Sequence, residues 1–416
     1  MHFRIRKGAD IAFAGRPRQV ILPRGEVRSA AVLGSDYPGF RPVFAVEERQ
    51  QVVAGQVLFT DRRRPEIAIT SPVSGSVRTI HRGPRRSLDA MIIERDGDRS
   101  REFAVKSNPS RDELIALLQM SGLWPALRTR PFGRVPDAGT VPAALFVTAM
   151  DTAPLAADPA IVIGQYGGWF QRGLEVLRHL TPANTYVCCR PDARIPEVKG
   201  TEIVTFEGPH PAGLPSTHIH FVHPVGRGDV VWHIGYQDVI AVGHLIETGT
   251  IWPHRVVSLA GSAVADPSLV LTVPGASLHE LTAGHLRAED LRLLSGSPLD
   301  GQAQQYLGRY DLQVTALAHP RQAVRRDGLV ERIRSRLQQG LSALVPNDAF
   351  ERVAPARILP LPFLRAISVG DLEAARKLGA LELVEEDMSL LAHVDGSGVD
   401  YGQMLRATLD ELEAAQ

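Results

Sequence analysis

The 416-residue sequence predicts a multidomain chain of mixed class, α+β in its outer parts and α/β in its middle. Three observations carry this expectation. Val46 to Ile80 alternates as two short hairpin halves, Ala143 to Phe206 alternates apolar strand and helix patterns, and apolar residues near the C-terminus step by three or four. Single cores stop growing near roughly 250 to 300 residues, so a chain of this length divides into about two to four domains.

Composition narrows the function classes. Hydrophobic residues make up 44% and charged residues 22%, which is ordinary for a soluble globular protein. The 46 basic and 46 acidic side chains cancel, so no global field draws the chain to nucleic acid, and no nucleic-acid partner is expected. Cys188 and Cys189 are the only cysteines. Adjacent thiols form neither a disulfide framework nor a CxxC ligand pair, and an iron–sulfur cluster needs about four thiolates. Met1 to Gly8 lacks the roughly 7 to 15 apolar residues of a signal-peptide core, and no stretch approaches the ~20 needed to cross a bilayer. Any work at a membrane is therefore expected to go through partners.

Val46 to Asp61 ends in a β-branched alternation after Gly55, and Ile67 to Ile80 repeats that shape around Pro72 and Gly75. Two such halves resemble the biotinyl/lipoyl barrel-sandwich hybrid, expected over residues 1–104. In that fold a carrier group is attached to a lysine at a hairpin tip. The tip here reads Asp61-Arg-Arg-Arg-Pro-Glu66, and the only lysines are Lys7, Lys106, Lys199 and Lys377. Arginine's delocalised guanidinium does not substitute. The expectation is a lipoyl-like fold without carrier chemistry.

Residues 105–141 read as a linker, with a helix from Arg111 to Met120 stopped at Gly122 and then a Pro- and Arg-rich passage to Pro136. Residues 142–253 carry a strand from Ala143 to Met150, a helix from Gly167 to Leu180, and strands at Thr185 to Cys189 and Glu202 to Phe206. This βαβ alternation predicts a Rossmann-like sheet. The loop after the first strand, Asp151 to Asp158, has no GxGxxG, so the backbone approach that a dinucleotide needs is not offered. Asp229 to Thr248 reads as an amphipathic helix. Residues 254–320 return to short strands, and Leu269 to Leu278 resembles the start of a β-grasp (SLBB-like) ligand-binding module. Residues 321–416 are expected to form a C-terminal helical region: an arginine-faced helix from Arg325 to Leu344, a helix from Leu372 to Leu381 capped by Asp371, and a last helix from Tyr401 to Ala414.

Few residues suggest chemistry. His218 and His220 would share one face of a strand, which makes the His218 to His223 stretch the best metal candidate, although a hydrogen-bonded structural role weighs more. Asp137, Asp151 and Asp158 sit near Pro or Gly, where turn and cap roles dominate. No GxSxG elbow or HExxH helix occurs. Two blocks join aromatic rings to arginines: Tyr37, Phe40 and Arg41 in the first, Arg128, Arg130 and Phe132 in the second. Rings and guanidinium groups suit a planar ligand with carbonyl oxygens. The same residues also suit interdomain contacts.

Several blocks carry a family resemblance: Gly8 to Gly15, Ala31 to Pro42, Gly122 to Phe132, Phe146 to Thr152, Gly208 to Gly213, Tyr236 to Ile240, Val256 to Gly261 and Tyr306 to Tyr310. In this order, over most of Met1 to Leu317, the chain resembles the NqrA family, one of the six subunits of the Na+-translocating NADH:quinone reductase. The resemblance implies a peripheral subunit on the cytoplasmic face of the bacterial inner membrane, partnered by subunits B to F of a complex that oxidises NADH, reduces ubiquinone and exports sodium. It implies no covalently bound cofactor, no catalysis by this chain alone, ubiquinone as the substrate of the complex, and a quinone-binding role carried to Tyr37, Phe40, Arg41, Arg128, Arg130 and Phe132. The chain departs from the family after Leu317, and Leu391 and Asp395 stand where the family has two cysteines. That departure leaves a second expectation, a paralogous scaffold or quinone-binding subunit of another membrane redox complex.

Overall fold

The computed structural model describes residues 1–23, 27–83, 87–226, 228–287, 290–318, 348–355 and 358–415. The helix expected from Arg325 to Leu344 lies outside them.

The N-terminal hairpins form two antiparallel sheets. One orders β3 (Ser29–Leu33), β9 (Leu88–Arg95), β8 (Gly75–Arg82) and β5 (Gln51–Val52); the other orders β4 (Pro42–Phe44), β6 (Val57–Asp61) and β7 (Arg64–Thr70). Val52, Val77, Met91 and Ile93 of the first meet Leu58, Phe59 and Ile69 of the second in one core. The arginine tip between β6 and β7 is held from within. Buried Asp61 accepts from the amides of Arg41 (3.0 Å) and Arg63 (3.4 Å) and from Arg64 Nε (3.4 Å).

The linker helix α1 (Arg111–Ser121) begins in a capping box between Ser110 and Glu113 and ends at Gly122, whose φ of 78° is left-handed. A side chain at Gly122 would also collide with Thr70, because its Cβ would lie 2.4 Å from Oγ1. Glycine there serves both the cap and the close approach of helix to hairpin. Leu114, Ile115, Leu117 and Leu118 face the interior, as their spacing predicts.

The central sheet orders β1 (His2–Arg4), β13 (Thr201–Glu207), β12 (Thr185–Cys189), β11 (Leu145–Thr148), β14 (Val231–Gly235) and β10 (Arg128–Arg130). The first five run parallel and β10 is an antiparallel edge. Helices α2 (Pro159–Gln165), α3 (Gly167–Leu177) and α5 (Tyr236–Thr248) share a core with one face, while α4 (Pro215–Val222) packs with Phe146, Tyr186 and Phe206 on the other. Coverage on both sides explains why the central strands β11 and β12 are buried almost throughout rather than alternating. Cys188 and Cys189 accordingly point into different cores, and burial pushes both thiols up, Cys189 to about 11. Helices α3 and α5 touch through glycines: a Cβ on Gly173 would lie 2.1 Å from Val239 O, and one on Gly243 would lie 1.8 Å from Trp169 O.

Two local readings are corrected. The stretch from Asp229 is not one amphipathic helix but β14 followed at Gly235 by α5, which is buried from Tyr236 to Ile246 because sheet and helices surround it. His218 and His220 lie on α4, not on a strand. Pro215 at the first helical position supplies the fixed φ that starts a helix there. On a helix, residues two apart diverge: His218 Nε2 bonds Ala212 O at 3.0 Å, and His220 Nδ1 meets Glu382 at 2.5 Å. Among the described residues no group of three or more His, Cys, Asp or Glu is arranged to hold a metal ion.

A third core sheet orders β17 (Leu291–Ser295), β18 (Gln313–Ala318), β15 (Arg255–Ala260), β16 (Ser268–Thr272) and β2 (Arg18–Pro23), with α6 (Leu278–Thr282) beside it. Strands β1 and β2 thus leave the N-terminal hairpins and complete two other sheets. At the C-terminus, α7 (Asp348–Val353), α8 (Pro360–Val369), α9 (Leu372–Lys377), α10 (Ser389–Asp395) and α11 (Tyr401–Ala414) enclose Phe350, Phe363, Leu364, Leu391, Leu405 and Leu409. The caps are Asp371, which accepts from Ala374 N at 2.9 Å, and Asp400, which accepts from Gln403 N at 2.9 Å. Helix α9 stops at Lys377, short of Leu381. Among the described residues no helix is long and apolar enough to cross a membrane.

Candidate functional site

The two arginine–aromatic blocks meet in space, and Arg128 is their hinge. Strand β10 carries it to the edge of the central sheet, where its guanidinium lies 4.6 Å from the centre of the Tyr310 ring and NH1 donates to Tyr310 Oη at 3.2 Å. Arg128 lines two cavities, and Tyr310 the smaller of them. The larger, about 720 Å3, is lined by Phe40, Arg63, Arg64, Arg128, Phe132 and Arg134 among others, with Arg376, Asp410 and Glu413 closing it from the C-terminal helices. The smaller, about 390 Å3, lies at the carboxyl ends of β11 and β14.

The six expected residues fall into three situations. Phe40, Arg128 and Phe132 line the larger cavity. Arg64 stacks 5.2 Å over the Phe40 ring and donates to Val135 O at 3.0 Å, which orders the rim. Tyr37 is buried behind Phe40, with ring centres 5.6 Å apart and Phe59 edge-on at 5.9 Å; burial pushes its phenol above the usual range. Arg41 faces solvent and lines neither cavity.

Arg130 is enclosed, with 1% of its surface exposed. NH1 bonds His233 Nε2 at 2.9 Å and Thr129 O at 3.1 Å, Nε and NH2 donate to Ser216 Oγ at 3.3 and 3.1 Å, and NH2 pairs with Glu386 at 3.5 Å. A guanidinium only donates, so His233 Nε2 accepts and the ring proton sits on Nδ1. Burial and the adjacent Arg130 charge hold His233 neutral, well below its ordinary range. Ser216 in turn donates to Asp387 Oδ2 at 2.7 Å. Burial, then the neighbouring Asp387 carboxyl, push Glu386 up, and burial raises Asp387. Arg130 is thus a structural tie between sheet and C-terminal helices, with only part of it reaching the smaller cavity.

Sequence reasoning missed Arg309, Tyr310, His233, Arg406 and the Glu385–Asp387 run. The signal available was Arg309-Tyr310, another arginine beside an aromatic ring. The Asp151 loop is occupied from within: Thr152 Oγ1 accepts from Gly213 N at 2.8 Å, and a Cβ on Gly213 would lie 2.6 Å from Thr152 N.

The fold and site define an assembly of hairpin sandwich, α/β sheet and helical C-terminal unit, joined around an arginine-lined cleft. Family models cover more than half of the chain. "NqrA N-terminal barrel-sandwich hybrid domain" matches residues 3–96, "NqrA second alpha/beta domain" residues 109–251, and "NQRA C-terminal domain" residues 256–305. The NqrA subunit of the Na(+)-translocating NADH-quinone reductase of Pseudomonas aeruginosa is 44% identical over 99% of both chains. That of Neisseria meningitidis is 42% identical over 99% of both, and that of Haemophilus influenzae 42% over 98% of this chain and 99% of its own. The chain belongs to the NqrA family of Na(+)-translocating NADH-quinone reductase subunits, and its N-terminal hairpins are a barrel-sandwich hybrid. An NAD+-reducing [NiFe]-hydrogenase matches at 14% identity and a TM-score of 0.39 over 74% of this chain and 62% of that one, too slight a likeness to carry an argument.

Proposed function

We propose that this chain is the peripheral, non-redox NqrA component of a Na+-pumping NADH:ubiquinone oxidoreductase, held to the cytoplasmic face of the bacterial inner membrane by subunits B to F. It supports quinone reduction and assembly of the complex without catalysing alone. Similarity to NqrA over essentially the whole chain supports this reading. In the same reading, residues 1–104, 105–141, 142–253, 254–320 and 321–416 are the barrel-sandwich, linker, Rossmann-like, β-grasp and helical parts.

Within that role the larger cavity receives the ubiquinone head group. The observation that carries this assignment is the convergence of Phe40, Arg128 and Phe132, from two blocks far apart in sequence, on one cavity of about 720 Å3. Aromatic faces would stack on the ring and guanidinium N–H groups would donate to its carbonyl oxygens. Arg41 and Tyr37 drop out of direct contact, and Arg130 acts by fixing the strand that carries Arg128.

The test is a titration of the purified chain with a soluble short-tail ubiquinone, repeated on Phe40→Ala, Arg128→Ala and Phe132→Ala. Loss of at least about tenfold in affinity, worth about 1.4 kcal/mol, is expected in each. Equal affinity in all four proteins removes the quinone assignment. Recovery of subunits B to F with the tagged chain tests the assembly role separately.

A further inference from the structure

The smaller cavity has a different chemistry. In the central sheet the chain runs outward from β11 to β12 and β13, then returns to β14 on the other side of β11. The strand order therefore reverses between β11 and β14, and in open α/β sheets ligands lie in the crevice outside the carboxyl ends at such a point. Thr148 at the end of β11 with Met150 and Asp151 beyond it, and Gly235 at the end of β14 with Tyr236 to Asp238 beyond it, line a space of about 390 Å3 there. That volume falls within the range of small-molecule sites.

Its walls are rich in arginine: Arg128, Arg130, Arg255, Arg309 and Arg406 all contribute. Three of these are matched. Arg255 pairs with Asp238 at 3.1 Å, Arg406 with Glu385 at 2.6 Å, and Arg130 with Glu386 at 3.5 Å. Arg128 and Arg309 have no ion pair among the described residues; Arg128 NH1 donates to Tyr310 Oη and Arg309 NH2 to Gly122 O, each at 3.2 Å, and both line the cavity. Arg309 Nε is also buried with no hydrogen-bond partner, an unusual cost for a guanidinium. Helix α5, 13 residues long, opens on the same space from Gly235, and no side chain caps its first turn. Its dipole favours negative charge, and the one carboxylate of its first turn, Asp238, is turned to Arg255.

We infer that this crevice binds a small organic anion, a carboxylate or phosphate group held between Arg128, Arg309 and the first turn of α5. The acidic members of the wall offer less opposition than their number suggests. Asp238 and Glu385 are paired with Arg255 and Arg406, Glu386 faces Arg130, and burial pushes Asp151 up to about 7, so near neutrality it holds its proton in part of the population. Arg128 is shared with the proposed quinone cavity; Arg309 and Gly235 line only the smaller one.

The test is calorimetric titration of the full chain with inorganic phosphate and, separately, with malonate. Saturable binding of either supports the site, and the stronger of the two identifies whether phosphate or carboxylate is the natural group. Two variants locate it. Arg309→Gln removes one guanidinium. Gly235→Asp places a carboxylate over the helix amides at a residue of ordinary backbone conformation, where the nearest atom to the added Cβ is Asp238 Oδ2 at 3.9 Å, so the fold tolerates it. Each should weaken the anion at least about tenfold, while Gly235→Asp leaves the short-tail ubiquinone titration unchanged. No saturation with either probe, or unchanged affinity in folded Gly235→Asp, overturns the inference without touching the quinone assignment.

Discussion

Ser216 Oγ donates to Asp387 Oδ2 at 2.7 Å while accepting from Arg130, so one hydroxyl joins the edge strand, the first turn of α4 and the turn that leads into α10. The three groups are 171 and 86 residues apart in sequence and nearly sealed from water. Charges in such a place are stable only as a set.

Arg130→Ala should therefore cost about 3 kcal/mol in urea unfolding, because it leaves Asp387 and Ser216 buried without their cation. Asp387 can take a proton, which keeps the loss toward the lower end. Arg130→Lys should not restore stability, since one ammonium cannot serve Ser216, His233 and Thr129 together. A loss below about 0.5 kcal/mol would refute this tie.

Arg134 provides the contrast. It reaches Asp410 and Glu413, each at 2.7 Å, but both carboxylates are well exposed. Arg134→Ala should cost only about 0.5 to 1 kcal/mol, and less in high salt. A thermal melt at two salt concentrations separates it from Arg130→Ala.

Helices α3 and α5 leave no room for a methyl group. Gly243→Ala drives a Cβ to 1.8 Å from Trp169 O, which is backbone and cannot swing away. The helices must part, at a cost of about 3 kcal/mol or more. Gly164→Ala, with nothing within 4 Å of the added Cβ, should be neutral or slightly stabilising by helix propensity. Equal unfolding midpoints for the two variants would refute the packing account.

Asp151 makes stability depend on pH. Its folded pKa of about 7 stands above the ordinary 3.8, so the native state holds the proton more tightly than the unfolded chain. The resulting penalty is absent below about pH 4, grows as pH rises, and is complete above about pH 7. Asp151→Asn keeps the oxygen that accepts from Ala153 N at 2.8 Å and loses the charge. The variant's advantage over the parent should rise from near zero at pH 4 to roughly 1 to 3 kcal/mol at pH 7.5, allowing for partial exposure. A difference that is flat across that interval rules the effect out.

Local signals were legible because they act over three or four residues. Asp371 before its helix, the stop at Gly122 and the period-two hairpins all rest on neighbouring atoms. The His-x-His spacing misled for the same reason: it mimics a strand, whereas Pro215 had already started a helix. Helices α7, α8 and α10 are short and escaped notice, since their stability comes from packing on one another and on Phe132.

By itself the sequence determined a lipoyl-like sandwich that cannot carry an acyl group, because no lysine stands at its tip, and an α/β sheet without a glycine-rich phosphate loop. Only the tertiary structure decided that β1 and β2 complete distant sheets, that Arg130 is buried while Arg41 is exposed, and that Arg128 lines two cavities. An arginine's role depends on which carboxylates, hydroxyls and rings reach it from the rest of the chain. Those distances exist only after folding.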